Sequence, residues 1–205
     1  MTDIALGIYT AGLVLVVGLR TFMQIAAASN AGRKRAPREH HRPGPAAGAV
    51  VALLALALAG ALAALWLVSH GSITPWDLPP DVGAVGVGLE VVGFIAIYAA
   101  QESMGAAWRF GINPDERVDL VTKGLFSRVR HPVYSALVVI HVGVLLAVPH
   151  VISLLALVAV VAAAQLLVRV IEEPHLVRQA RGHAAYAADT GRFVPGIGRV
   201  AAARR

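Results

Sequence analysis

The sequence predicts an all-α polytopic membrane protein with five transmembrane helices and a helix hairpin before a C-terminal cytoplasmic helix. Three observations predict it. The first is composition: 57% of the 205 residues are apolar, 15% are charged and the mean hydropathy is +0.68, an excess that has to face something other than water. The second is patterning: apolar runs at 4–28, 46–68, 82–100, 133–148 and 151–168, most of them close to the ~20 residues a helix needs to cross a bilayer. The third is charge placement. Residues 29–45, 102–132 and the tail from 169 carry five, five and seven of the 18 Lys and Arg, whereas the N-terminus, 70–81 and 149–150 carry none. Five spans put those two sets on opposite sides, and the positive-inside rule then places the basic set in the cytoplasm and the N-terminus outside.

Each element follows from its residues. The first run opens with Asp3 rather than positive charge, which argues for an uncleaved helix instead of a signal peptide, and Arg20 near its end can snorkel to the headgroups. Residues 29–45 are rich in Pro, Gly and basic side chains and are expected as a loop meeting anionic headgroups. The tandem His40-His41 there lacks the further ligands that would complete a metal site, so no metal is expected. The second run has no charge in 23 residues; Trp66 at its end and Trp76 in the next loop suit an interfacial aromatic belt.

The third run carries Gly83, Gly86, Gly88 and Gly93, small residues that let helices approach closely in lipid. Glu90 lies near its middle: a membrane-embedded carboxylate is costly, and it is either functional or hydrogen-bonded to a neighbouring helix. Residues 101–119 are polar and irregular, with Arg109 between Trp108 and Phe110 as in an interfacial segment and a turn at Asn113-Pro114-Asp115. The fourth and fifth runs are separated only by Pro149-His150, which forces an antiparallel hairpin. His141 within it is expected as a hydrogen-bonded core residue. The basic tail is expected to be helical to about Asp189 and broken by Gly191 and Pro195. Cysteine is absent, which excludes disulfides, thiolate nucleophiles and cysteine-bound metals. The net charge of +6 sits beside the membrane, so no nucleic-acid partner is expected.

Two short polar stretches stand out. Residues 120–134 read LVTKGLFSRVRHPVY, a basic segment between apolar runs, and residues 169–176 read RVIEEPHL. Thr122 and Gly124, then Arg130-His131-Pro132-x-Tyr134, then Glu172-Glu173-x-x-Leu176, with Tyr186 followed nine residues on by Pro195, resemble the isoprenylcysteine carboxyl methyltransferase and phospholipid methyltransferase superfamily of integral membrane enzymes. The resemblance covers roughly residues 105–197. It divides the chain into an N-terminal membrane region of residues 1–101, a methyltransferase core of 102–197 and a basic tail of 198–205.

The resemblance implies methyl transfer from S-adenosylmethionine to a lipophilic, membrane-dissolved acceptor such as the carboxylate of an isoprenoid or related lipid. His131 is placed to cap the fourth helix and Pro132 to open it, and a helix N-terminus with free N–H groups favours an anion. By resemblance that anion is the cofactor's carboxylate, bound around Arg130, His131, Pro132, Val133 and Tyr134. Leu120, Val121 and Gly124 match the strip that contacts adenosine. Phe126 stands where the family usually has Tyr, which keeps a ring and loses a hydroxyl. Glu172 is implied as the cofactor's carboxylate ligand and, with Arg169, as a catalytic group. Glu173 is either a second cofactor ligand or a surface charge paired with Arg169 four residues away. Arg169 either clamps an acidic substrate group or snorkels, and Glu90 is a candidate for lining the lipid-side chamber. Gly182-His183-Ala-Ala-Tyr186 supplies one Tyr where the family has two, so the cover over the cofactor is expected to be built differently. Sixteen Arg against two Lys points to a GC-rich bacterial source and hence the inner membrane.

Two other classes fit the same outline. One is a membrane sterol-type reductase using NADPH, which should carry additional basic positions for the cofactor phosphate. The other is a non-catalytic lipid-binding membrane protein, which would have no cofactor affinity.

Overall fold

The structure is a computed structural model, all-helical among its described residues, which are 1–19, 45–104 and 120–200. Arg20, most of the 29–45 loop with His40-His41, and the expected interfacial segment around Trp108, Arg109 and Phe110 lie outside them.

The elements follow the apolar runs. Helix α1, Thr2–Leu13, continues through a π-helical stretch, Val14–Leu19. Helices α2, Pro45–Ser69, and α3, Pro80–Met104, are 25 residues each. Helices α4, Pro132–Ala147, and α5, Val151–Leu166, form the hairpin, and α5 runs on through a π-helical turn, Leu167–Glu172, into α6, Glu173–Gln179. A last helix, α7, is His183–Asp189. Helices α2, α3 and the continuous helix Val151–Arg178 are long and apolar enough to cross a membrane, and Thr2–Val16 and Pro132–Ala147 are shorter apolar helices. At about 1.5 Å per residue α4 spans roughly 24 Å, a little less than a bilayer core. Leu56, Val85, Ile95 and Leu155 stand exposed on the outer surface, where lipid rather than water suits them.

Helix α3 packs most extensively on α4, and α2 on α5. Glycine permits the first contact. A Cβ on Gly86 would lie 2.5 Å from the carbonyl oxygen of Gly143, and one on Gly143 would lie 2.6 Å from that of Gly86, so the two backbones touch. Tyr9 of α1 is fully buried and donates its hydroxyl to the Leu58 carbonyl at 3.2 Å. Its oxygen is 3.5 Å from His141 Nε2, and His141 Nδ1 is 2.8 Å from the Leu137 carbonyl. His141 is thus the hydrogen-bonded core residue expected. Glu90 is fully buried beside Gly143, and neither of its oxygens has a hydrogen-bond partner among the described residues. The neighbouring-helix hydrogen bond offered as one account of Glu90 is therefore not formed among the described residues.

The ends of the bundle differ chemically. At one end Met1 packs near Gly83, and the Trp76 N–H donates to the Pro149 carbonyl at 2.7 Å, so the N-terminus, the 70–79 loop and the hairpin turn gather there. Trp66, stacked on His70 at 4.3 Å between ring centres, and Trp76 belong to this end. No described Lys or Arg does; all of them fall in 120–131 and from 169 onward, at the opposite end. The tail helix is interrupted, unlike the continuous helix expected: Ala180 is extended and Gly182 has φ +82°, left-handed backbone that glycine takes without strain.

Candidate active site

The site is built where the N-terminus of α4 meets the π-helical end of α5. Pro132 takes the first position of α4, as its missing N–H predicts. His131 precedes it but does not cap it: its side chain makes no capping hydrogen bond and turns toward the other polar stretch. His131 Nδ1 lies 3.2 Å from Glu172 Oε2, and Tyr134 donates its hydroxyl to Glu172 Oε1. Two stretches separated by about 40 residues thus share one cluster. The π turn matters here, because each extra residue in a helical turn rotates everything after it by about 100°.

Glu173 faces the other way. Arg130 donates to its Oε1 from Nε at 3.2 Å and from Nη2 at 2.9 Å, and Arg192 Nη2 lies 2.7 Å from its Oε2. His131 Nε2 is 3.6 Å from Glu173 Oε1, an ion-pair distance rather than a hydrogen bond. The possible pairing of Glu173 with Arg169 is not used; Arg169 is exposed and donates to Gln165 Oε1 at 2.7 Å. Burial disfavours charge on His131, but the hydrogen bond to Glu172 and the negative charges of Glu172 and Glu173 outweigh it and raise its pKa above the usual 6.5.

The Gly124 strip lies alongside. Gly124 has φ +59°, left-handed backbone that favours glycine, and a Cβ there would displace the Ser103 hydroxyl of α3. It opens the short 3₁₀ turn Gly124–Ser127, whose Phe126 is buried. Leu120 and Val121 are half-buried at its start, and Val133 packs against the bundle core. The hydroxyl absent from Phe126 has a counterpart nearby: Tyr186 of α7 donates to the Phe126 carbonyl at 2.5 Å. The single tail tyrosine therefore ties the C-terminal helix to this strip.

The C-terminal residues cover the cluster. Arg130 N–H donates to the Gly191 carbonyl at 2.8 Å and His131 N–H to the Arg192 carbonyl at 3.1 Å. The Phe193 ring centre is 6.0 Å from that of His131, and Ser135 Oγ donates to the Phe193 carbonyl at 2.6 Å. Arg192, Phe193 and Ser135 carried no signal in the sequence; a lone Arg in a basic tail looks like any other. His183 is also buried here, with Nε2 lacking a hydrogen-bond partner among the described residues. Glu90 stands apart. Gly143, its neighbour on α4, is 11 residues from Pro132, or roughly 16 Å along the helix axis.

The donor set suits a zwitterionic nucleotide. Glu172, with 31% of its side chain exposed, offers a carboxylate, Tyr134 a hydroxyl, and His131 a buried ring whose Nε2 has no hydrogen-bond partner among the described residues. Residues 82–179, just under half of the chain, match the family model described as phospholipid methyltransferase. No curated protein matches the chain.

Proposed function

Because residues 82–179 belong to the integral membrane methyltransferase superfamily that joins the isoprenylcysteine carboxyl and phospholipid methyltransferases, we propose that the chain moves a methyl group from S-adenosylmethionine to a lipophilic acceptor in the bilayer. The acceptor we propose is a carboxylate of an isoprenoid or related lipid. One observation carries the proposal: His131 and Tyr134 of one polar stretch and Glu172 of the other meet in a single cluster, at the bundle end that holds every described Lys and Arg.

S-adenosylmethionine, when bound, supplies a methyl group activated on a positively charged sulfonium. The residues orient and enclose. Glu172 accepts from the ammonium or a ribose hydroxyl, a charge-assisted or strong hydrogen bond. Tyr134 and His131 hold its carboxylate in place. Arg130 and His131 spend their N–H groups on the C-terminal segment and Pro132 has none, so anion binding at this helix start falls to the His131 ring and the N–H groups of Val133 and Tyr134. Leu120, Val121, Gly124 and Phe126 form the adenosine-side wall. The C-terminal segment keeps water from His131, and alignment in a dry site is the main service an activated methyl donor needs.

A carboxylate acceptor is ionised near pH 7 and requires no general base. Arg169, exposed at the end of the apolar run, is our candidate clamp for that acidic group. Glu90, deeper in the bundle, is our candidate polar contact for the far part of the acceptor. Residues 102–197 form the catalytic core in this assignment, residues 1–101 its membrane region and 198–205 a basic tail. The site faces the cytoplasm of a bacterial inner membrane, with the N-terminus outside, because the basic end then obeys the positive-inside rule.

The test is equilibrium binding of labelled S-adenosylmethionine and of NADPH to the protein in nanodiscs. Methyl transfer to prenylated thioether acids, fatty acids and amino-headgroup lipids follows. Saturable S-adenosylmethionine binding and a base-labile labelled ester are expected. NADPH binding in its place, or no binding of either, overturns the proposal.

A further inference from the structure

Arg130 is buried, and all five of its N–H groups are engaged. Two go to Glu173 Oε1. The other three go to carbonyl oxygens of the C-terminal segment: Ala187 at 3.1 Å, Thr190, and Gly198 at 3.0 Å. Arg192 closes the other side of Glu173, with Nε 2.9 Å from Oε1 and 3.0 Å from Oε2, and Nη2 2.7 Å from Oε2. Within the segment, the Arg192 N–H donates to the Ile197 carbonyl at 2.8 Å and the Val200 N–H to the Ala187 carbonyl at 2.9 Å. The segment is therefore a folded strap, fastened through side chains to Glu173 and through backbone to Arg130 and His131. It lies beyond residues 82–179, outside the matched part of the chain.

We propose that Glu173, Arg130 and Arg192 form a clamp that fastens the strap of residues 190–198 over the His131 cluster, that Glu173 serves this clamp and not the cofactor, and that Arg192 is a positioning residue for His131. Three observations carry it. Arg130 has no donor left for a ligand without releasing the strap. Glu173 has two guanidinium groups on its oxygens and only 12% side-chain exposure, whereas Glu172, with 31%, meets one hydroxyl and one imidazole that can rearrange around a ligand. The His131 backbone is hydrogen-bonded to the carbonyl of Arg192 itself, so the residue that grips Glu173 also sets where the His131 ring stands. The two adjacent glutamates thus divide between a ligand-facing and a strap-facing task.

The proposal concerns the site assigned above and rests on that assignment only for its cofactor part. The test measures hydrogen exchange of the strap amides without cofactor, and dissociation constants for labelled S-adenosylmethionine, in wild type, Glu172→Gln, Glu173→Gln, Arg192→Gln, Arg192→Lys and the Glu173→Gln/Arg192→Gln pair. Expected for Glu173→Gln and Arg192→Gln are strap exchange at least about tenfold faster and cofactor affinity about tenfold weaker. The double variant should be no worse than either single one, and Arg192→Lys should recover part of both. Glu172→Gln should lose affinity at unchanged strap exchange. Wild-type strap exchange in Arg192→Gln overturns the clamp. Lost affinity in Glu173→Gln with the strap still protected overturns the division between the glutamates, and a loosened strap at full affinity overturns the positioning role. A wild type that binds no S-adenosylmethionine counts against the cofactor assignment alone, because the exchange data still decide the clamp.

Discussion

Glu172 and Glu173 differ by one position and by the charge that surrounds them. Glu172 meets an imidazole and a phenol at a partly open surface, and its charge is available to an incoming cation. A hydrogen bond from a charged donor is worth about 1.5–3 kcal/mol, so Glu172→Gln is expected to weaken S-adenosylmethionine binding by about ten- to a hundredfold. Glu173 is different, because removing it strands two guanidinium groups. Glu173→Ala is expected to destabilise the folded C-terminal half by roughly 3–5 kcal/mol, read as a lowered unfolding midpoint. His131 adds a pH dependence. Its folded-state pKa is raised, so the stability it contributes is complete below its unfolded value near 6.5 and disappears as pH rises through the folded value. Thermal unfolding is expected at lower temperature as pH rises above about 6.5, and His131→Asn should flatten that dependence. A profile that His131→Asn leaves unaltered would assign the titration elsewhere. These partners were half legible beforehand: motif spacing picks out His131, Tyr134 and Glu172, but nothing in a linear string pairs Glu173 with Arg192 rather than Arg169, because both are arginines in a basic region.

Among the elements, the α3–α4 contact is the most closely packed. Gly143→Ala places a methyl 2.6 Å from the Gly86 carbonyl oxygen and 2.9 Å from the Glu90 nitrogen, both backbone atoms that cannot move aside singly. The helices must separate, and a loss of about 1–3 kcal/mol is expected in detergent unfolding, with Gly86→Ala similar and Gly88→Ala near neutral because open space surrounds Gly88. Glu90 beside them carries two carboxylate oxygens without hydrogen-bond partners among the described residues, an arrangement that costs stability. Glu90→Gln is therefore expected to hold or raise the unfolding temperature. If it also abolishes methyl transfer while leaving cofactor affinity intact, the acceptor-side role follows; full activity removes that role. The glycine spacing that allows the contact is visible in the sequence. Which glycine meets which depends on helix rotation and depth, and these are set by packing. The π turns at Val14–Leu19 and Leu167–Glu172 were not legible either, since apolar residues fill α- and π-helical turns alike.

For the whole molecule, the decisive property is that every described Lys and Arg lies at one end. The chain has no cysteine, so single introduced cysteines report topology cleanly. Thr74→Cys is expected to react with an impermeant maleimide in intact spheroplasts, and Ser127→Cys only after permeabilisation; the reverse pattern would invert the orientation and move the cluster away from cytoplasmic cofactor. Apolar length and charge placement, read from the sequence alone, determined the helical class, the hairpin and the asymmetric ends, because transfer into lipid and attraction to headgroups act on each segment independently of its neighbours. The motif residues told which side chains to watch. Only the tertiary structure decided that Arg130 is spent on the C-terminal strap, that His131 turns to Glu172 instead of capping its helix, and that Glu90 has no hydrogen-bond partner among the described residues. Those outcomes depend on the relative rotation of packed helices and on a π-helical register, and both arise from contacts between residues tens of positions apart.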